Sequence, residues 1–311
     1  MTLAFVFLCP MPYYIDAPGG LTSLNDKVKM ENKSLSGSYN LTYVSEYKAS
    51  IPMLFYSLFN KDYDIYKKSD ILLENETDKQ YYKRDRLFLE ESISNAVVAA
   101  YSLANKKVEI KSNYLYVGYI LNGSNTDLEI GDKIISIDSK NVLTKKDVKN
   151  ILKEKKVGDK LSIEVINGKK KYQRSAIVIN DNGDNIIGIV PIEVYDYDTF
   201  DNIEIKMNKN ESGSSGGLML ALTIYDLLSD DDIAKGRVIA GTGTIDSDYN
   251  VGEIGGIEYK IKGAVKNNVS VFFVPEANYK EALKIVRKNK YKIKLVKVKT
   301  LKEAIDYLKN N

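Results

Sequence analysis

The stretch Glu211-Ser212-Gly213-Ser214-Ser215-Gly216-Gly217-Leu218 gathers hydroxylic and glycine residues, and Leu218, Ala221, Leu222, Tyr225 and Leu228 then recur at the three-and-four spacing of an amphipathic helix. Ser215 is therefore expected where a turn opens into a helix. Backbone N–H groups without helical partners point outward at such a place, and the helix dipole favours negative charge. A hydroxyl held there suits a nucleophile that must generate an oxyanion. A serine that only caps a buried helix fits the same stretch, because serine is a favoured N-cap.

The 311-residue chain contains no histidine, which removes Ser-His-Asp and Cys-His catalysis and makes histidine-based metal sites impossible. Its one cysteine, Cys9, permits neither an intramolecular disulfide nor a zinc cluster. No metal and no cofactor is expected. A serine hydrolase built from this sequence needs another base, and lysine is the available choice. Ser45 and Lys48 have the Ser-x-x-Lys spacing of penicillin-recognising enzymes, but no Lys-Thr-Gly or Ser-Asp-Asn partner occurs. No Gly-x-x-x-x-Gly-Lys-Ser/Thr phosphate cradle occurs either, so no ATPase engine is expected to travel with this chemistry.

A second stretch, Ala240-Gly241-Thr242-Gly243-Thr244-Ile245, is followed by Val251-Gly252-Glu253-Ile254-Gly255-Gly256-Ile257-Glu258-Tyr259-Lys260. With the Ser215 turn, it resembles the proteolytic domain of the Lon family. There, a serine in a Gly-Pro-Ser-Ala-Gly turn is paired with a lysine just after an Ile-Gly-Gly turn. The resemblance implies Ser215 as nucleophile, Lys260 as its base 45 residues later, and Thr242 as the residue that orients the lysine. It also implies that N–H groups around Ser214 to Gly216 hold the oxyanion. Ser214 replaces the family's proline and Gly216 its alanine, which loosens the expected turn. An ordinary lysine, with a pKa near 10.4, offers a free amine in only about one molecule in 2,500 at pH 7. Burial must depress that value, and Ile254 and Ile257 are the expected desolvating walls.

Around these residues, 41–58 alternates loosely as strands, with Pro52 as an interruption, and the tyrosine-rich, acidic segment 62–75 reads as an irregular connector. Leu89, Ile93, Ala96, Val97, Ala100 and Ala104 share one face of a helix that Asn105 ends, and no chemistry is expected of it. From 108 to about 179 come strands at 108–110 and 114–121, the run Leu128-Glu129-Ile130-Gly131-Asp132-Lys133-Ile134, a helix at 145–155, and strands at 160–166 and 171–178 joined by an Asn167-Gly168 turn. This order looks like a PDZ domain of the bacterial protease type. The resemblance implies a groove that accepts an extended peptide as an added strand, with Tyr116, Val117, Gly118 and Tyr119 as the peptide-end binding loop. After a break at 180–183, a strand at 186–190 leads into the last domain, and Ile203-Glu204-Ile205-Lys206 delivers the chain to the Ser215 turn. Thr300-Leu301-Lys302-Glu303 is a capping box opening a final helix to 308.

Forty-five basic and forty-two acidic residues, interspersed, leave a net charge of +3, too balanced to argue for a nucleic-acid partner. The apolar run 3–9 is too short to cross a membrane alone. Followed by Pro12-Tyr13-Tyr14-Ile15 and Pro18-Gly19-Gly20, it resembles the start of the exported, PDZ-containing Lon-like proteases of Gram-positive bacteria, the YlbL type. That likeness implies contact with the membrane through the N-terminus, a single-pass protein with its catalytic domain outside the cell. The expected architecture is α/β (α+β). Residues 1–15 would be an anchor or signal remnant, 16–107 an N-terminal α/β region, 108–180 a PDZ domain and 183–311 a Lon-type proteolytic domain. The expected function is ATP-independent serine endopeptidase action on peptides or unfolded proteins through a Ser-Lys dyad. The alternative is an inactive, membrane-tethered PDZ peptide-binding protein. The sequence leaves the oligomeric state open.

Overall fold

A computed structural model describes residues 11–74 and 76–311; the apolar run 3–9 and Cys9 lie outside them. Two six-stranded sheets organise a mixed α/β fold. The first runs in the order Leu295–Val298, Val271–Pro275, Val238–Gly241, Ser38–Lys48, Tyr13–Ser23 and Asp64–Lys67. Its first four strands are parallel, with Ile239 opposite Tyr39 and Val271, and the last two join antiparallel. The 16–107 region thus shares a sheet with the C-terminal segment.

Both faces of this sheet are covered, so strands Val238–Gly241 and Val271–Pro275 read as unbroken apolar runs. Ile239, Val271 and Phe273 join one core with helices Asp78–Leu103, Gly217–Leu228 and Leu301–Asn310. Ala240, Phe272 and Val274 join a second core with helices Ile257–Lys266 and Glu276–Asn289. The Ser215 turn and Lys260 therefore belong to opposite layers.

The second sheet is antiparallel, with Ile189–Thr199 at one edge, followed by Val108–Ile120, Lys133–Ile137, Lys160–Asn167 and Lys170–Ile177. Helix Lys145–Lys153 packs Val148, Ile151 and Leu152 into its core. Gly131 holds a left-handed φ of +81°, and the following Asp132, fully buried, accepts from Asn167 at 2.7 Å and from the Glu129 N–H at 2.8 Å. The hairpin turn is Gly168-Lys169, one residue later than expected, because Asn167 pairs with Lys170.

Several expectations are corrected. Pro52 does not break a strand; it sits in the first turn of helix Ile51–Leu58, where a missing N–H removes no helical hydrogen bond. The 62–75 connector contains strand Asp64–Lys67 and helix Lys68–Ile71. The aliphatic-striped helix also extends back from Leu89 to Asp78, where a capping box starts it: Thr77 accepts from the Gln80 N–H and Gln80 from the Thr77 N–H. The strand expected at 186–190 is Ile189–Thr199, and it pairs with Val108–Ile120 from end to end. The single-pass membrane placement is not supported, since among the described residues no helix is long and apolar enough to cross a membrane. The most apolar long stretch, Gly217–Leu228, has 12 residues against the roughly 20 a span requires, and it lies inside the protein. The 26-residue helix Asp78–Leu103 is long enough but carries charge along its first half.

Candidate active site

Helix Gly217–Leu228 is buried around its whole circumference, not along one stripe. Met219, Leu220, Ile224 and Leu227 fill the positions between the expected apolar ones, so no polar face exists. Its one charged residue, Asp226, accepts from the Tyr39 hydroxyl at 2.9 Å and from the Ile233 N–H at 3.1 Å. The preceding turn needs the left-handed φ of +82° at Gly213, whose N–H donates to the Asp85 carbonyl on the long helix at 2.9 Å. Ser215 lies two residues before the first helical residue and is half-buried, not a cap.

Lys260 comes from the other layer. Gly256 has a φ of +67° and starts helix Ile257–Lys266, whose Gly263 packs against the backbone of Gly20 in strand Tyr13–Ser23. Lys260 is 3% exposed, and Ile254 and Ile257 are buried beside the same turn. Burial pulls the Lys260 amine down to about 8. Its Nζ stands 2.6 Å from Ser215 Oγ and 3.0 Å from Thr242 Oγ1.

Thr242 leaves the sheet at the carboxyl end of strand Val238–Gly241, where open α/β sheets place their ligand sites. It is fully buried; its N–H donates to Phe273 and its hydroxyl donates to the Ser215 carbonyl at 3.1 Å. The same carbonyl accepts from the Gly243 N–H at 2.8 Å. The structure therefore brings Ser215, Lys260 and Thr242 into one hydrogen-bonded group. Among the described residues, the Ser214, Ser215 and Gly216 N–H groups donate no hydrogen bond to the protein backbone. Gly216 has an ordinary φ of −93°, but a Cβ there would stand 2.9 Å from Leu41 Cδ2, so glycine admits the Leu41 side chain.

A cleft of about 370 Å³ opens onto Ser215 and Lys260, with Tyr43, Val44, Tyr81 and Ile254 in its walls. Asp16, Glu46 and Asp85 also line it, and burial raises all three carboxyls, Asp16 to about 6 with Asp64 nearby adding to the rise. A second cleft, of about 350 Å³, lies against Ser215 between Leu41, Met207 and Glu211. Both clefts include Ser215, Tyr43 and Val44 in their lining.

Residues 195–310 match the Lon protease (S16) C-terminal proteolytic domain. Over 98 residues, the chain is 33% identical to the Lon protease of Mesomycoplasma hyopneumoniae and 32% identical to Lon protease 2 of Borreliella burgdorferi. That stretch is 32% of this chain but only 11% and 12% of those proteins. Among solved structures, the PDZ domain of the SdrC-like protein from Listeria monocytogenes is 24% identical, covering 27% of this chain and 93% of that domain at a TM-score of 0.24. The second domain of another listeria protein covers 27% of this chain and 88% of that one, at 24% identity and a TM-score of 0.23.

Tyr116, Val117, Gly118 and Tyr119 do not form a loop. They occupy the strand Val108–Ile120, paired with Ile189–Thr199 on one side, and with Val117 exchanging backbone bonds with Gly131 and Asp132 on the other. Val117 is fully buried, and Tyr119 is packed against Phe88 and under the Arg84 guanidinium, 4.3 Å from its ring. One hollow of about 380 Å³ begins just past this strand, lined by Ile120, Leu121, Gly123 and Leu128 with Leu73 and Gln80, and a more apolar one lies elsewhere. About 380 Å³ is enclosed between helix Lys145–Lys153 and the chain 183–191, with Val148, Leu152, Ile186, Ile187 and Ile189 as its apolar lining. Its sequence signal is Ile186-Ile187-Gly188-Ile189, a left-handed glycine at +68° among isoleucines just before an edge strand.

Proposed function

We propose that this chain is a serine endopeptidase in which Ser215 and Lys260 form the catalytic dyad. The supporting observation is a buried amine 2.6 Å from a serine hydroxyl at the mouth of a cleft. A neutral amine has one lone pair and two N–H bonds. With an N–H donated to Thr242 Oγ1, the lone pair can face Ser215 Oγ and take its proton as the oxygen attacks a peptide carbonyl. The protonated Lys260 then gives that proton to the leaving amine, and a water activated by the same amine releases the acyl group. The N–H groups of Ser215 and Gly216 hold the oxyanion. At pH 7, a pKa of about 8 leaves about one lysine in ten neutral, far more than an ordinary lysine offers.

The unit built on the second sheet is the substrate-holding part in this reading, and the groove beside helix Lys145–Lys153 takes an extended peptide along the edge of strand Ile189–Thr199. Pro191 has no N–H and limits how far an added strand can pair. With no phosphate cradle in its sequence to drive unfolding, the chain would act on flexible segments, short peptides or unfolded proteins.

Labelling with a serine-reactive fluorophosphonate or a peptidyl boronate, in parallel with casein hydrolysis, tests the proposal. Wild type should label and cleave, and Ser215→Ala should do neither. Equal labelling or equal hydrolysis by the two proteins would end the reading.

A further inference from the structure

We propose that Ser92, on the long helix and outside the segment that matches the Lon domain, is a positioning residue that aims the Ser215 N–H at the oxyanion by holding the Ser214 carbonyl. This rests on the serine-protease reading above. In a trans peptide, the C=O and N–H of one unit point in opposite directions, so fixing one fixes the other. The unit joining Ser214 to Ser215 has its carbonyl oxygen bound by Ser92 Oγ at 3.1 Å and by the Gly217 N–H at 3.2 Å. Its N–H must therefore point away from Ser92.

The clefts show where that direction leads. Ser92 lines a hollow with Phe88, Glu91 and Asn95, whereas Lys260 lines the cleft of the dyad. Ser214 borders both, and neither Ser92 nor Lys260 reaches the other's side. A donor turned away from the Ser92 hollow faces the dyad. The next peptide unit is fixed in the same way, with the Ser215 carbonyl held by Gly243 and Thr242 so that the Gly216 N–H is oriented in turn. Two adjacent donors thus have two separate holders, and Ser92 is the one supplied by the long helix.

Two further features support this role. Ser92 is 2% exposed in a helix whose neighbouring face is aliphatic, so its hydroxyl needs a partner, and the turn provides it. A Cβ on Gly217 would stand 2.7 Å from Ser92 Oγ and from Ile245 Cγ2, so glycine there is what lets the helix approach the turn. The contact replaces, from outside the turn, part of the rigidity that a proline at position 214 would supply from within.

The test compares full-length wild type with Ser92→Ala on a chromogenic peptide that the wild type cleaves, with a peptidyl boronate as mimic of the tetrahedral intermediate. Loss of an entire oxyanion donor lowers kcat by about a hundred- to a thousandfold, and a mis-aimed one should lower it by about ten- to a hundredfold. The expected result is that fall in kcat with KM within twofold, boronate affinity weakened by the same factor as kcat/KM, and an unchanged midpoint in the pH profile. A thermal melt matching wild type shows that the variant is folded. Wild-type kcat in Ser92→Ala, or a loss carried by KM or by a displaced pH midpoint, overturns the role of Ser92. A wild-type chain that neither cleaves peptide nor binds boronate overturns the protease reading itself, which separates the two failures.

Discussion

Lys260 Nζ and Ser215 Oγ meet at 2.6 Å although their helices lie on opposite faces of one sheet. They meet because both helices begin at the end of strand Val238–Gly241, where Thr242 bridges them. The amine is desolvated by the layer it comes from, and the serine stays half-exposed in the cleft.

The pH dependence of hydrolysis follows from that burial. The neutral amine is the active form, so kcat/KM should climb with pH through about 8 and level off above it. Initial rates on a short peptide from pH 6 to 10 measure this. A profile still rising at pH 10 would mean that Lys260 is an ordinary lysine.

Stability should show the converse. The folded-state pKa lies below the unfolded value, so the native protein binds fewer protons than the unfolded chain between about 8 and 10.5, and stability gained by deprotonation rises with pH across that window. Below it, burying the charged amine is a standing penalty. Lys260→Met should therefore melt higher than wild type at pH 7, with the advantage shrinking above pH 8 and gone near 10.5. Calorimetry at pH 7 and 10 decides it; a variant less stable at pH 7 would show that the charge is well accommodated.

Thr242→Val removes an acceptor for Lys260 and a donor to the Ser215 carbonyl while keeping the volume. The rate should fall by about a hundredfold, the scale of losing one fixed donor, with the pH midpoint displaced because the amine loses a partner. Thr242→Ser should keep most activity. Steady-state kinetics of both variants provide the check, and an unchanged rate in Thr242→Val removes Thr242 from the mechanism.

A change in the groove should affect binding and leave the chemistry alone. Ile186→Asp places a charge in the apolar lining between helix Lys145–Lys153 and the edge strand. KM for an unfolded protein should rise about tenfold, the scale of 1.4 kcal/mol in affinity, while cleavage of a peptide too short to reach from the Ser215 cleft to this groove stays constant. Equal effects on both substrates would mean that the groove does not engage substrate.

The meeting of Ser215 and Lys260 was legible because both sit near glycines, and glycine marks turns that only special backbone angles permit; Gly213 and Gly256 hold left-handed φ values. The long helix was legible as a core element from Leu89 onward, but its role at the site was not. Ser92, Asp85 and Asn95 reach the catalytic segments through long-range contacts across more than a hundred residues, which no local periodicity encodes. That 116–119 is strand and not loop was hidden for a related reason. Tyr116 to Tyr119 carry a glycine and aromatic residues, yet the strand they pair with is 189–199, distant in sequence. Gly118 is there because Ile192 crosses over it, not because the chain turns.

The shared sheet also sets the order in which the molecule can come into being. Ser38–Lys48 finds its parallel neighbour only in Val238–Gly241, some two hundred positions later, and Val238–Gly241 in turn needs Val271–Pro275. While the chain is still being synthesised, nearly all of it must be made before the layers can close and bring Lys260 and Ser215 together. On the proposed function, a growing chain therefore acquires a complete site only when it is almost finished, and a copy cut short before residue 260 lacks the amine proposed as base.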